Sequence, residues 1–282
     1  MNAFCDKFCF GLMRLVTYLV VLAVGYIIFD IIRHGLPAIS WEFLSAAPRR
    51  SGAAGGIFPA IVGTLYLVGG TIAIALPLGM GSAVYLSEYA DKNRFTELIR
   101  LAIITLAGVP SIVYGLFGLG LFVLFFKFGA SIVAGSLTLA CMILPTIIVA
   151  SEEALHAVPQ AYRDASLALG ATKWQTIRTN VLPYSLSGMI TGAILGIGRA
   201  AGETAPILLT VAAFFLPKLP KSVFDQVMAL PYHLYILATQ HPEAEKVRPL
   251  QYGTALVLLA LVLGLSLIAI ILRMHFRKKY RW

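Results

Sequence analysis

Long apolar runs separated by short polar islands set the pattern of this 282-residue chain. Crossing lipid in a helix takes about 20 mostly apolar residues, because each backbone N–H and C=O must find its partner inside the segment. Six stretches satisfy this: Leu15–Ile32, Phe58–Leu86, Leu98–Phe126, Ser131–Ala150, Tyr184–Leu216 and Tyr252–Leu272. The second, third and fifth exceed that length, which predicts tilt, a kink or an interfacial extension. Pro77, Pro110, Pro145 and Pro206 mark candidate kinks, since each removes a backbone donor. No small-residue cleavage pattern follows the first run, so it reads as an anchor. The expected fold is an all-α integral membrane protein with six transmembrane helices.

The polar islands are residues 33–57, the stretch 151–183, and residues 217–251, where FDQVMALPYHLYILATQ mixes aromatic and apolar residues with few charges. That last run is expected on the membrane surface or against a partner. The island from Ser151 carries the punctuation of two short helices. Pro159 opens the first, with Tyr162, Ala165, Ala168 and Leu169 on one side. Gly170 ends it, Thr172 caps the second, Trp174, Ile177 and Val181 are helically spaced, and Pro183 breaks the run. Helix–glycine–helix makes a rigid protruding elbow, more than a plain connecting loop requires.

Composition strengthens the membrane reading. The chain is 59% hydrophobic and 12% charged, where soluble domains are about 25% charged. Its net charge of +9 belongs to membrane orientation and not to nucleic acid, for no soluble domain is present to carry a basic patch. Arg273, Arg277, Lys278, Lys279 and Arg281 follow the last span, so the C-terminus is expected in the cytoplasm. An even number of spans puts the N-terminus there too, with Lys7, Arg14, Lys92, Arg94, Arg100, Arg163, Lys173 and Arg178. Outside lie Arg33, Arg49, Arg50, Lys127, Lys218, Lys221, Lys246 and Arg248, mostly in longer loops that count less. Cys5 and Cys9, one helical turn apart on the reducing side, read as packing residues, as does Cys141 within a span; no metal site is expected.

At the elbow, Asp164-Ala165-Ser166-x3-Gly170-x11-Leu182-Pro183 resembles the EAA loop of the transmembrane subunits of ATP-binding-cassette importers, Glu-Ala-Ala-x3-Gly-x9-Ile-x-Leu-Pro. The chain departs from it at Asp164, Ser166 and Asn180. AVYLSEYA (83–90), GVPSIVYGLFGL (108–119), ALGATKWQTI (168–177), GRAAGETAPILLT (198–210) and MALPYHLYILA (228–238) together resemble the PstA-type permease of the phosphate importer. The resemblance implies the type I importer (MetI-like) fold, with residues 1–57 an N-terminal span and outer loop, and residues 58–282 the permease core with its coupling loop at 151–183. It implies a PstC-type permease partner, an ATPase dimer carrying ATP and Mg, an extracytoplasmic phosphate-binding protein, and a bacterial or archaeal inner membrane. No cofactor is implied in this chain, which lacks a G-x-x-x-x-G-K-[ST] loop and is read as a transport subunit and not an enzyme. By the same resemblance Asp164, Ala165, Gly170, Trp174, Ile177, Leu182 and Pro183 dock the ATPase, with Trp174 and Ile177 facing an apolar groove.

The fifth span holds Gly188, Gly192, Gly196, Gly198, Arg199, Gly202, Glu203, Thr204 and Pro206. At about 100° per residue, Gly192, Gly196, Arg199 and Glu203 fall within about 60° of one another. Charges inside a membrane normally face protein or water. Either Arg199 and Glu203 neutralise each other while the glycines admit a neighbouring helix, or the glycines leave room for an oxyanion whose oxygens the guanidinium fork matches. In the second reading Arg199, Glu203, Gly196 and Thr204 line the substrate path, and Glu203 accepts a hydrogen bond from the protonated oxygen of hydrogen phosphate. Ser111, Tyr114 and Thr210 are weaker candidates, since such groups often bond their own helix.

Two rivals come from other classes. A secondary anion transporter should show an internal repeat, and a membrane-embedded enzyme should cluster His, Asp or Glu near one interface. No repeat is visible, and His34, His156, His233, His241 and His275 are scattered. A permease for another oxyanion remains the nearer alternative. The charge asymmetry yields a topology test: a reporter active only outside the cell, fused after Trp282, should be silent, and activity there would reverse the orientation.

Overall fold

The computed structural model of the chain describes residues 3–49, 52, 54–91 and 93–279. Arg50, Lys92, Arg281 and Trp282, with the side chains of Cys5, Lys7 and Lys279, lie outside the described residues. The chain begins with the long helix α1 (Ala3–Gly35), a 3-10 turn (Leu36–Ala38) and the short α2 (Trp41–Ser45). A two-residue antiparallel hairpin, β1 (Pro48–Arg49) with β2 (Ala54–Gly55), leads into α3 (Phe58–Val84), which continues as a π-helical turn over Tyr85–Tyr89. Next come α4 (Arg94–Ala107), α5 (Ser111–Gly118) with a second π turn (Leu119–Phe125), and α6 (Ile132–His156). Beyond it lie α7 (Gln160–Ala168), α8 (Lys173–Thr176), a third π turn (Ile177–Val181), α9 (Leu182–Gly202), α10 (Ala205–Thr210), α11 (Leu230–Thr239) and α12 (Arg248–Lys279).

Among the described residues, five helical segments are long and apolar enough to cross a membrane, and a bent pair brings the number to six. That pair, Arg94–Ala107 and Ser111–Phe125, bends at the candidate kink Pro110, and the bend is a fold-back of 104°. The turn lies where Gly108 caps α4 and Pro110 forbids helix in the residue before it. The Tyr114 hydroxyl closes the bend by donating to the Leu106 carbonyl at 2.8 Å. The fifth span is also shorter than expected. It ends at Gly202, Glu203 is extended (φ −74°, ψ 136°), and Pro206 sits in the first turn of a new helix, where a missing N–H costs nothing. Pro77 and Pro145 remain inside α3 and α6.

Helix α6 is the centre of the bundle, packed on α3, α9, α4 and α5. Its Leu139, Met142, Ile143 and Ile147 join Leu67 and Ala75 of α3 in the main core. Helices in lipid gain little from hydrophobic burial and associate through close packing of small residues. Such packing is seen between α9 and α6: a Cβ on Gly188 would meet the Ala154 Cβ at 2.5 Å, and one on Gly192 would meet the Ala150 Cβ at 2.6 Å.

The outer segment 212–247 folds back into the chain. Ile132 and Val133 donate their N–H groups to Asp225 and Val223 carbonyls, and the Leu230 N–H donates to Thr64 Oγ1 at 2.9 Å. Met228, Ala229, Leu230 and Leu237 are buried within this chain, which corrects the expectation that this run lies on the membrane surface or against a partner. His233, in the same segment, is buried, and desolvation pushes its imidazole down to about 4, so it is neutral near pH 7. Gly63 faces the Met228 carbonyl so closely that a Cβ would overlap it, with Val227 Cβ 2.9 Å away. Gly63→Ala should therefore destabilise the protein by about 1–3 kcal/mol, seen as a lower thermal midpoint in detergent. Gly69→Ala, with nothing within 4 Å of its Cβ position, should leave the midpoint unchanged or raise it.

Candidate functional site

The elbow is built by local chemistry. Pro159 precedes the first turn of α7, and Gly170, at φ +82°, ends it in the left-handed region that glycine adopts without strain. The Gly170 N–H donates to Leu167 O at 2.9 Å and the Ala171 N–H to Ser166 O at 3.3 Å, which satisfies carbonyls the helix end would strand. Thr172 and Gln175 then form a reciprocal capping box: Gln175 N–H donates to Thr172 Oγ1 at 3.3 Å, and Thr172 N–H to Gln175 Oε1 at 2.8 Å. The two arms are tied internally, for Thr176 Oγ1 donates to Ser166 Oγ at 3.0 Å. Ser166, where the EAA pattern has alanine, is thus a buried bonding partner.

Outward the elbow presents an apolar tip. Leu169 is 89% exposed and Trp174 52% exposed, flanked by exposed Tyr162, Ala165, Leu167, Ala168 and Gly170. Asp164 is exposed and accepts a hydrogen bond from Gln160 Nε2 at 3.1 Å. Ile177 is different. At 1% exposure it is buried under the elbow and cannot face an outside groove, which corrects its expected docking position. Ile177 opens the π turn Ile177–Val181, which packs against α7, so the inner side of the second arm takes up its side chain. Leu182 packs, partly buried, on the core beside Val181, and Pro183 stands in the first turn of α9, directly after the π turn. Nothing in the structure explains the polar Asn180, half-buried in the π turn.

The intramembrane pair lies at the other end of α9. Arg199 Nε is 3.4 Å from Glu203 Oε1, with the side chains 36% and 17% exposed. The pair straddles the helix break, and Thr204 starts α10 without a side-chain cap bond. Gly198 and Gly202 have open space at their Cβ positions. Gly192 and Gly196 do not. A Cβ on Gly196 would touch Ile143 and Ile147 at 3.4–3.5 Å, so these glycines seat α9 on α6 and leave no room for an anion, contrary to the expectation for Gly196. Of the weaker candidates, Tyr114 is spent on Leu106 and Thr210 donates to the Pro206 carbonyl at 2.8 Å.

Sequence reasoning missed two arginine braces. Arg163, on α7, forks onto Glu88 of the first π turn, Nη2 to Oε1 at 2.7 Å and Nε to Oε2 at 3.3 Å. Arg100, on α4, pairs with Glu152 of α6 at 3.0 Å and donates to the Leu86 carbonyl at 2.7 Å. A cleft of about 630 Å³ opens beside the first brace, lined among others by Ser87, Glu88, His156, Arg163 and Lys173.

Residues 75–282 match the family described as binding-protein-dependent transport system inner membrane component. The probable ABC transporter permease protein YqgI of Bacillus subtilis (strain 168) is 34% identical over 278 residues, 94% of this chain and 93% of that one. The phosphate transport system permease protein PstA 1 of Mycobacterium tuberculosis (strain ATCC 25618 / H37Rv) is 38% identical over 221 residues, 78% of this chain and 70% of its own. The probable phosphate transport system permease protein PstA of Methanocaldococcus jannaschii is 33% identical over 263 residues, 92% and 90% of the two chains. Among solved structures, a bacterial alginate ABC transporter in complex with an alginate pentasaccharide-bound periplasmic protein aligns over 97% of this chain and 95% of its own, with a TM-score of 0.66 at 11% identity. The MetNI methionine ABC transporter aligns over 78% and 94%, with a TM-score of 0.58 at 16% identity. At these identities the likeness is one of fold.

Proposed function

Because this chain belongs to the family of binding-protein-dependent transport system inner membrane components, we propose that it is the PstA-type permease subunit of an ATP-driven phosphate importer. The relatives named for phosphate transport support the substrate. The observation that carries the reading is the Arg199–Glu203 pair at the break between α9 and α10. A charge pair at a helix break inside lipid is expensive unless it faces protein or a water-filled path. Here one side of the pair is open, beside Gly198 and Gly202. A second, PstC-type permease would cover that side and complete the path.

In this reading Arg199 is the transient partner of hydrogen phosphate, its planar fork matched to two oxygens. Glu203 holds the guanidinium in place and weakens its grip, since passage needs binding loose enough to release. Glu203 also accepts from the protonated oxygen of the anion, and Thr204 adds a hydroxyl at the break. A phosphate-binding protein delivers the anion from outside, and an ATPase dimer inside supplies ATP and Mg. The elbow meets that ATPase with Leu169 and Trp174, Gly170 setting the angle between its arms; Asp164 and Ala165 border the contact, and Leu182 with Pro183 joins it to α9. Both termini lie in the cytoplasm, which places the elbow on the side of ATP.

Two outcomes test this. Trp174→Asp, or Gly170→Pro, should abolish ATP hydrolysis stimulated by the loaded binding protein in a reconstituted complex, while the permease still inserts. Persistence of both assembly and stimulation would remove the elbow from the docking role. Arg199→Gln combined with Glu203→Gln leaves two neutral amides, cheaper to bury than one stranded charge. This double variant should assemble with the ATPase yet take up no phosphate, measured with radiolabelled phosphate in vesicles. Normal uptake would reduce the pair to a structural neutraliser.

A further inference from the structure

Arg163 stands on the elbow but its side chain turns inward. Besides its fork onto Glu88, its Nη1 donates to the Val158 carbonyl at 2.7 Å and its Nη2 to the Leu155 carbonyl at 2.9 Å. The two side chains are only 13% and 9% exposed. One guanidinium therefore joins three pieces of chain: the elbow helix α7, the C-terminal end of α6 and the π turn that ends α3. The backbone of α7 packs chiefly on α8 and on the π turn Ile177–Val181. The ion pair links it to the π turn that ends α3, and Lys173 of α8 adds a second tie by lying 4.9 Å over the Tyr89 ring.

Two properties make the link more than an anchor. A bidentate charge-assisted pair fixes orientation as well as distance, so a rotation of α7 cannot occur without turning Glu88 or breaking the fork. Glu88 stands on a π turn, a rare winding that recurs at functional sites. The same π turn is held from its other side by Arg100 through the Leu86 carbonyl, so it is gripped between the elbow and the α4–α6 brace. The second helix leaving the elbow, α9, also begins after a π turn. The cleft beside the clamp is bounded by both arms of the elbow, at Gln160 and Lys173, and by Glu88 of the π turn.

We propose that Arg163 is a positioning residue whose clamp on Glu88 transmits movement of the elbow to α3, so that α3 and α9 shift together when the partner ATPase changes shape. The inference rests on the transport reading above. A pair that only stabilised the fold would be dispensable once replaced by neutral groups of similar size, since buried ion pairs are often no more stable than such replacements.

The test uses the complete complex with partner permease and ATPase in liposomes, with the phosphate-loaded binding protein inside the compartment that corresponds to the outside of the cell. The variant Glu88→Gln with Arg163→Gln leaves no charge unpaired, and Arg163→Lys keeps the charge but loses the fork. Both should assemble and hydrolyse ATP at the unstimulated rate. Phosphate moved per ATP should fall about tenfold, the equilibrium weight of one charge-assisted hydrogen bond. An unchanged ratio in both variants overturns the proposal, as does failure of the double Gln variant to assemble, which would make the pair a structural tie. The unmutated complex, run beside them, reports on the transport reading separately: absence of ATP-dependent phosphate uptake there refutes that reading and not the clamp.

Discussion

The backbone's demand for hydrogen bonds where no water is available governs the rest of this structure. In lipid an open N–H or C=O costs several kcal/mol, so a helix can break only where other protein groups or a wet path receive the freed atoms. The chain breaks twice, at Gly108–Pro110 and at Glu203–Thr204, and the two breaks support each other. Gly115, just past the first, lies so close to the Pro206 Cα and the Ala205 carbonyl after the second that a Cβ would stand 3.0–3.1 Å from them. Tyr114 satisfies a carbonyl that the first bend releases. These two breaks are thus gathered in one place, and the charged pair stands at its edge.

The elbow obeys the same demand by other means. Where solvent is close, side chains and a single left-handed glycine close the helix ends: Thr172 and Gln175 on one arm, Gly170 on the other. The tie between Thr176 and Ser166 makes the arms one body. Its apolar tip can then be presented outward without collapsing, because the arms are fixed from within.

What could be read from the amino-acid order follows from the range of each interaction. Hydropathy marks the spans because lipid acts on each segment separately, and Pro159, Gly170 and Thr172 mark the elbow because caps are made within a few residues. The Arg199–Glu203 pair was visible for the same reason, being one helical turn apart. The 104° return at Gly108–Pro110 was not, since a proline announces a break without setting its angle. Ile177 was placed on the wrong side because helical spacing groups apolar residues on a face without saying whether that face meets the chain itself or a partner. Gly196 followed the right face and the wrong occupant, Ile143 and Ile147 of α6 standing where an anion was expected. The clamp of Arg163 on Glu88 joins residues 75 positions apart, and no periodicity in a single sequence connects them.

Helix α1 offers a different lesson. None of its most apolar window is buried in the chain; it meets the remainder at its far end, where Tyr252 donates to Asp30 at 3.1 Å and Gly35 lies against the Tyr252 carbonyl. The apolar length of α1 is therefore left to lipid or to another membrane helix, and its hold on the rest of the bundle runs through α12.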